Sequence, residues 1–311
     1  MQPIKTIFIG TPDFAVPALR ALVRDTDFKV ELVITRPDAP AGRGLILTEP
    51  PIKQLALELK LPLSQSTTIK EALSQLQIIS PDIIVVAAYA QIIPPAILEL
   101  PRYGCLNIHP SLLPVYRGAS PLHSVILNND QATGVTIMKM DERLDTGPIL
   151  AQEKITVSPE ATTAELSKTL AELGAKLLTR TIKDWLAGRL EPRAQDNASA
   201  SYAPQVTKAN GLLNWSDPAN KIEQRVRAYG DWPGAWTWAK GQQVKILAVE
   251  HNPLPLNTAK PGKTFIYNNQ LAVQCGADAL VISRLKLEGK KDISGQEFIN
   301  GHRADIGLIW G

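Results

Sequence analysis

The chain has 311 residues, 44% apolar and 20% charged, with a formal net charge of +3. That composition suits two folded domains and argues against a disordered chain, a collagen-like repeat or a strongly basic nucleic-acid coat. Cys105 and Cys275 are far apart, with no CxxC and no His/Cys cluster, so neither a disulfide framework nor a zinc site is expected; both read as buried thiols.

The chain enters a strand at once over residues 5–10 and shows no charged and apolar leader pair before it. No apolar run approaches the roughly 20 residues of a membrane span, so a cytosolic protein is expected. After Gly10 comes the turn Thr11-Pro12-Asp13, then helical spacing over 14–23, the opening of a doubly wound fold. There is neither GxGxxG nor GxxxxGK[ST], which rejects a dinucleotide fingerprint and a P-loop. A second strand is expected over 29–35. The next stretch, to Pro51, is rich in Pro, Gly and Arg and reads as a long functional or disordered loop. Arg43 stands there between two glycines, suited to a phosphate or carboxylate, or simply to solvent.

Helical stretches over 52–59 and 69–76 lead to residues 82–88, a continuous β-branched run that reads as a strand buried on both faces. The next strand ends in Asn107-Ile108-His109, and Pro110 stops it because it cannot donate to a ladder. Asn107 and His109 lie on one face, roughly 6–7 Å apart along the strand. Taken alone, this end reads equally as a capped terminus with a satisfied surface histidine.

A helix over 122–127, strands over 134–140 and 149–157, and an acidic loop at 141–148 come next. One long amphipathic helix is expected over 162–185. From Gly188 the composition turns to Arg, Pro, Gln, Asn and Ser, read as a linker over 188–204 between a first domain, 1–187, and a second, 205–311. The second domain carries a helix over 219–229 and many short strands, which suggests a small barrel of the OB type. Trp236 and Trp238 share a strand face and read as barrel core, with base stacking as the alternative. Residues 206–311 hold 13 Lys+Arg and 9 Asp+Glu, a faint hint of an anionic partner for the C-terminal part.

Asp145 sits in a loop after a strand and can reach the same sheet edge as His109. Asn, His and Asp without a Ser or Cys nucleophile suit direct acyl transfer to an amine rather than an acyl-enzyme route. NIHPSLLPVYRGASP (107–121) with TGVTIMKMDERLDTGPIL (133–150) resembles the formyltransferases that use 10-formyltetrahydrofolate. FIGTPDFAVPAL (8–19), RPDAPAGRG (36–44), SYAPQVTKANGLLNW (201–215) and IEQRVRAYGDWPGAWT (222–237) extend the resemblance to nearly the whole chain. They narrow it to the branch whose acceptor is initiator methionyl-tRNA.

The resemblance implies an α/β fold: a Rossmann-like, mostly parallel sheet followed by a C-terminal OB-like barrel that holds the tRNA. It implies Asn107, His109 and Asp145 as catalytic residues and a tetrahedral intermediate. Ser111, Leu112, Leu113 and Pro114 match the folate-binding segment, 88–93 and the backbone of 140–145 the pterin pocket, and Arg43 the loop arginine that meets the tRNA acceptor end. It implies 10-formyltetrahydrofolate as cosubstrate, no metal, no DNA and no membrane, and a monomer is assumed. Leu45 stands where the family carries a basic residue and Arg143 where it commonly has glycine. The same chemistry on a small amine, such as glycinamide ribonucleotide or a nucleotide amino sugar, and a tRNA-binding module without catalysis are the competing readings.

Overall fold

The computed structural model describes residues 2–41 and 46–311. Arg43 and Leu45 lie outside the described residues. The chain groups into two compact units. The first comprises the chain up to Pro121, Ala132–Thr156 and Ser167–Ala203; the second comprises Leu122–Gln131, Val157–Leu166 and Pro204–Gly311. The division is therefore not a single cut, and residues 188–203, read as linker from their composition, group with the first unit.

In the first unit the elements run β1 (Ile4–Gly10), α1 (Val16–Arg24), β2 (Phe28–Ile34), β3 (Ala39–Ala41), β4 (Ile46–Thr48), α2 (Pro51–Glu58), β5 (Leu63–Ser64), α3 (Leu73–Ile79), β6 (Ile83–Ala87), α4 (Pro95–Leu98), β7 (Cys105–His109) and β8 (Arg117–Gly118). After α5 (Pro121–Leu127), which groups with the second unit from Leu122 on, come β9 (Ala132–Lys139), β10 (Ile149–Thr156), α6 (Thr163–Leu186, its first turn also in the second unit) and β11 (Tyr202–Ala203). The seven-stranded sheet has the order β10-β9-β7-β6-β1-β2-β5. From β7 to β5 it is parallel; β9 runs antiparallel to β7, and β10 antiparallel to β9. Such a sheet needs cover on both faces, and every residue of β6 is buried. The long loop after β2 is not structureless: β3 and β4 pair as a short hairpin, and its two stems meet on one lysine. Lys53, on α2, binds Asp38 at 2.6 Å and Glu49 at 3.0 Å.

Two packing details fix β7. Its Asn107 and His109 pair with Met138 and Thr136 of β9. Between them Ile108 turns inward against α6, where a methyl added to Gly174 would lie 2.8 Å from Ile108 Cγ2 and 3.3 Å from Val135 Cγ1. Only glycine lets the helix approach the strand that closely.

The second unit holds α7 (Ala219–Tyr229), β12 (Ala235–Ala239), β13 (Gln242–Val249), β14 (Thr264–Tyr267), β15 (Gln270–Gln274), β16 (Ala279–Leu287), β17 (Asp292–Ser294) and α8 (Gly295–Gly301). The strands form an antiparallel sheet in the order β12-β13-β16-β15-β14, with β17 on β16. Among the described residues the end strands β12 and β14 do not pair, which leaves the sheet open on that side, as a partly open OB-like barrel allows. The chain's last residues bridge the gap: Thr264 N–H donates to Leu308 O, Trp310 N–H to Gly262 O, and Gly311 N–H to Trp238 O.

The tryptophans divide differently from the sequence reading. On β12 the core takes Ala235 and Thr237, whereas Trp236 and Trp238 lie on the other face as an edge-to-face pair, with Trp238 exposed. The core aromatic is instead Trp215, buried beside Trp310, its Nε1–H donating to Thr237 Oγ1 at 2.9 Å. Thr237, on the inner face, meets Trp215 directly through that bond, and Ala235 joins the same buried cluster as Trp215, Phe298 and Trp310. Trp215→Ala is expected to cost about 3–5 kcal/mol, and Trp238→Ala under about 1 kcal/mol. Urea melts of the two variants check this; equal losses would mean that the faces are misjudged.

Candidate active site

β7 ends at the carboxyl edge of the sheet, where open α/β sheets present their ligand groups. His109 is 3% exposed despite its polarity. Its Nε2 lies 2.9 Å from Tyr116 O. A carbonyl can only accept, so Nε2 carries a proton. Nδ1 faces Asp145 Oδ2 at 3.7 Å, an ion-pair distance longer than a direct hydrogen bond. Asp145 Oδ2 itself accepts from Gly118 N–H at 2.8 Å. Asn107, half-buried two residues before His109, makes no side-chain hydrogen bond among the described residues. Its amide is thus a neutral donor beside a buried His–Asp pair.

The turn after β7 is held from below. Thr136 Oγ1 donates to Ser111 O at 2.6 Å and accepts from Leu113 N–H and from Gln152 Nε2. Gln152 Nε2 also donates to Leu113 O. Ser111 is fully buried and its hydroxyl donates to Val115 O; Leu113 packs against Met138 and Ile149. Of the four residues of this turn, Leu112 and Pro114 keep half-exposed side chains, while Ser111 and Leu113 can offer a ligand only backbone.

Four non-glycine residues on these loops have left-handed backbone: Ala88 (φ 46°), Ala90 (φ 59°), Tyr116 (φ 61°) and Asp145 (φ 54°). Each costs on the order of 1–3 kcal/mol, strain that gathers where a loop must hold a particular group. Arg143 is not among them. It is exposed, and its N–H donates to Asp141 Oδ1, an ordinary Asx turn that needs no glycine. Gly147 answers a different need: a methyl there would lie 1.9 Å from Lys139 O.

Sequence reasoning missed the groups that tie the two loops together. Arg117 is 2% exposed, with Nε donating to Gln195 Oε1 and an Nη to Asn197 Oδ1, both at 3.0 Å. Gln195 Nε2 donates to Asp145 O at 2.9 Å and to Gly147 O at 2.7 Å. Ser201 Oγ accepts from Tyr116 N–H, and β11 pairs in parallel with β8. The buried arginine lies within the 107–121 block that carried the resemblance. Gln195 lies in a polar stretch without periodicity, and nothing local marks it.

The free thiol of Cys105 is buried against the Ile97 and Leu98 carbonyls, and burial pushes its pKa up to about 12, so it is no nucleophile. Among the described residues no group of three or more His, Cys, Asp or Glu could hold a metal ion, and no helix is long and apolar enough to cross a membrane.

Known proteins match along both units. Residues 4–182 match the formyl transferase family, and residues 205–303 the formyl transferase C-terminal domain. A methionyl-tRNA formyltransferase of Caldicellulosiruptor saccharolyticus is 42% identical over 308 residues, covering 97% of this chain and 98% of that protein. The methionyl-tRNA formyltransferase of Geobacter sulfurreducens is 38% identical over 314 residues, covering 100% and 98%. Among solved structures, an N-formyltransferase from Helicobacter canadensis in complex with folinic acid and dTDP-3-aminofucose shares the fold at TM-score 0.66 and 20% identity, over 90% of this chain and 98% of that one. HypX from Aquifex aeolicus in complex with tetrahydrofolic acid does so at TM-score 0.64 and 16% identity, over 96% of this chain and 47% of that one. With matches spanning both units and relatives aligned end to end, the chain belongs to the formyltransferase family.

Proposed function

We propose that the protein transfers the formyl group of 10-formyltetrahydrofolate to the α-amino group of methionine on initiator methionyl-tRNA, for translation initiation. The observation that supports the chemistry is the His109–Asp145 pair at the end of β7, with the unspent Asn107 amide two residues before it on the strand, while Ser111 is spent on Val115 and Cys105 stays a thiol. With neither hydroxyl nor thiolate available there, the amine must attack the formyl carbon directly. The acceptor is supported by the end-to-end relationship to enzymes that carry methionyl-tRNA in their names; that it is the initiator species rests on the resemblance in sequence.

The residues divide the work. Asn107 donates an N–H to the formyl oxygen as negative charge develops on it. His109, anchored through Nε2 on the Tyr116 carbonyl, places imidazolium charge beside the same oxygen. Asp145 takes up the proton that the amine sheds, with His109 Nδ1 next to it; the tetrahedral intermediate then collapses with cleavage of the C–N10 bond, and that proton passes on to N10 of the departing tetrahydrofolate. The donor set fits a folate: neutral donors and backbone groups with half-exposed Leu112 and Pro114 beside them, the mix of polar and apolar surface that a pterin and its benzoyl tail need. The backbone of 88–93 and 140–145 would line the pterin side. Arg43 would meet the acceptor end of the tRNA, an assignment resting on the sequence alone. The reading invokes no metal, DNA or membrane, and a cytoplasmic location fits a translation enzyme.

A transfer assay with 10-formyltetrahydrofolate tests the reading, offering methionine-charged initiator tRNA, glycinamide ribonucleotide and a nucleotide amino sugar in parallel. Formyl is expected on the tRNA alone. Transfer only to a small amine would move the acceptor assignment, and binding without turnover on any acceptor would remove catalysis.

A further inference from the structure

The segment 193–203 falls between the two family matches, yet it closes the candidate site. We propose that Gln195 is a positioning residue for formyl transfer, an inference that rests on the roles given above to His109 and Asp145. Its amide can point only one way. Arg117 Nε is a pure donor, so Oε1 must face it; the Asp145 and Gly147 carbonyls are pure acceptors, so both Nε2 protons go to them. One side chain therefore grips the backbone on both sides of Thr146 and holds the left-handed turn that aims the Asp145 carboxylate. Through Arg117 the same amide is joined to the strand whose neighbours serve the pair directly. Tyr116 O receives His109 Nε2, and Gly118 N–H donates to Asp145 Oδ2. Loops far apart in sequence, 116–118 and 145–147, are thus set relative to each other by a residue that touches neither reacting partner.

Two variants separate positioning from stability. Gln195→Glu keeps the length and strengthens the bond to Arg117 with a full charge. It removes both N–H donors and sets carboxylate oxygen against two carbonyls. Gln195→Met removes all three bonds. In the full-length protein, with charged initiator tRNA as acceptor, Gln195→Glu is expected to leave Tm unchanged or higher. Its kcat should fall by about 30- to 100-fold, the loss that follows a misplacement near 1 Å, while KM for 10-formyltetrahydrofolate stays within about threefold of wild type on the uniform-binding criterion. The fall in kcat at an unchanged folate KM is the split that a merely structural role would not produce. Gln195→Met should lose kcat similarly, with a small fall in Tm. Asp145→Asn is measured alongside. A wild-type kcat in Gln195→Glu with a large loss in Asp145→Asn overturns the positioning role alone. A wild-type kcat in Asp145→Asn removes the catalytic reading and this proposal with it. A loss in Gln195→Glu that comes with a lower Tm and raised KM for both substrates would make Gln195 merely structural and overturn the proposal.

Discussion

His109→Ala is expected to lower kcat for formyl transfer by about 10²–10⁴-fold, the range lost when a positioned acid–base or charge-stabilising group is deleted. Each factor of ten is about 1.4 kcal/mol of transition-state stabilisation. The ring sits at the last residue of β7, fixed by the ladder to β9 on one side and by Ile108 against Gly174 on the other. Its removal takes the His109 hydrogen bond away from Tyr116 O, at a cost of about 1–3 kcal/mol of stability, so the fold should survive. The turn at 111–114 is held by Thr136 and Gln152 rather than by the histidine, and 10-formyltetrahydrofolate binding should therefore persist. Single-turnover rates with equilibrium folate titration separate the two effects. A variant within about threefold of the wild-type rate would show no role for His109. His109→Gln refines the result: it can still donate to Tyr116 but carries no charge, and a loss equal to that of alanine would assign the effect to the imidazolium.

Gly147→Ala is expected to cost about 100-fold in kcat, although the added methyl touches no substrate. The methyl would lie 1.9 Å from Lys139 O, 3.0 Å from the Lys139 carbonyl carbon and 3.2 Å from Asp141 N. All are backbone atoms, so no side-chain rotation relieves the clash. The turn must shift by on the order of 1 Å, carrying Asp145 with it and loosening Gln195 from Gly147 O, and overpacking of this kind costs about 1–3 kcal/mol. A fall in kcat, a Tm lowered by a few degrees and a nearly unchanged KM for the folate are expected. Wild-type kcat would mean that the turn adapts without moving the carboxylate.

Much of the first unit was legible because its strands announce themselves. The β-branched run of β6 and the proline after His109 fixed where strands lie and where β7 stops, and the blocks at 107–121 and 133–150 brought the Asn, His and Asp into view. What stayed hidden has physical reasons. Alternation shows that Trp236 and Trp238 share a face but not which face is the core; that depends on Trp215 and Trp310, distant in sequence. The antiparallel pairing of β9 leaves no local mark, since the same residues would suit a parallel strand. The contribution of 193–203 is invisible for a similar reason. A segment whose bonds go to side chains and carbonyls of another loop needs no periodicity, and a polar stretch flanked by Pro192 and Pro204 with Gln195 in it reads as linker until its partners are seen.

That arm also sets an order of events during synthesis. The ribosome delivers His109 and Asp145 well before Arg193–Ala203, and the sheet can form around them as the chain emerges. A nascent chain ending near Leu186 would hold the Asn107–His109–Asp145 set on its strand ends but lack the amide that locks their loops together. The two loops of the first unit would then be locked only when Arg193–Ala203 leave the exit tunnel, after the second unit's segments 122–131 and 157–166 have emerged. Completion of the site is thereby timed to chain length rather than to the arrival of its reactive residues.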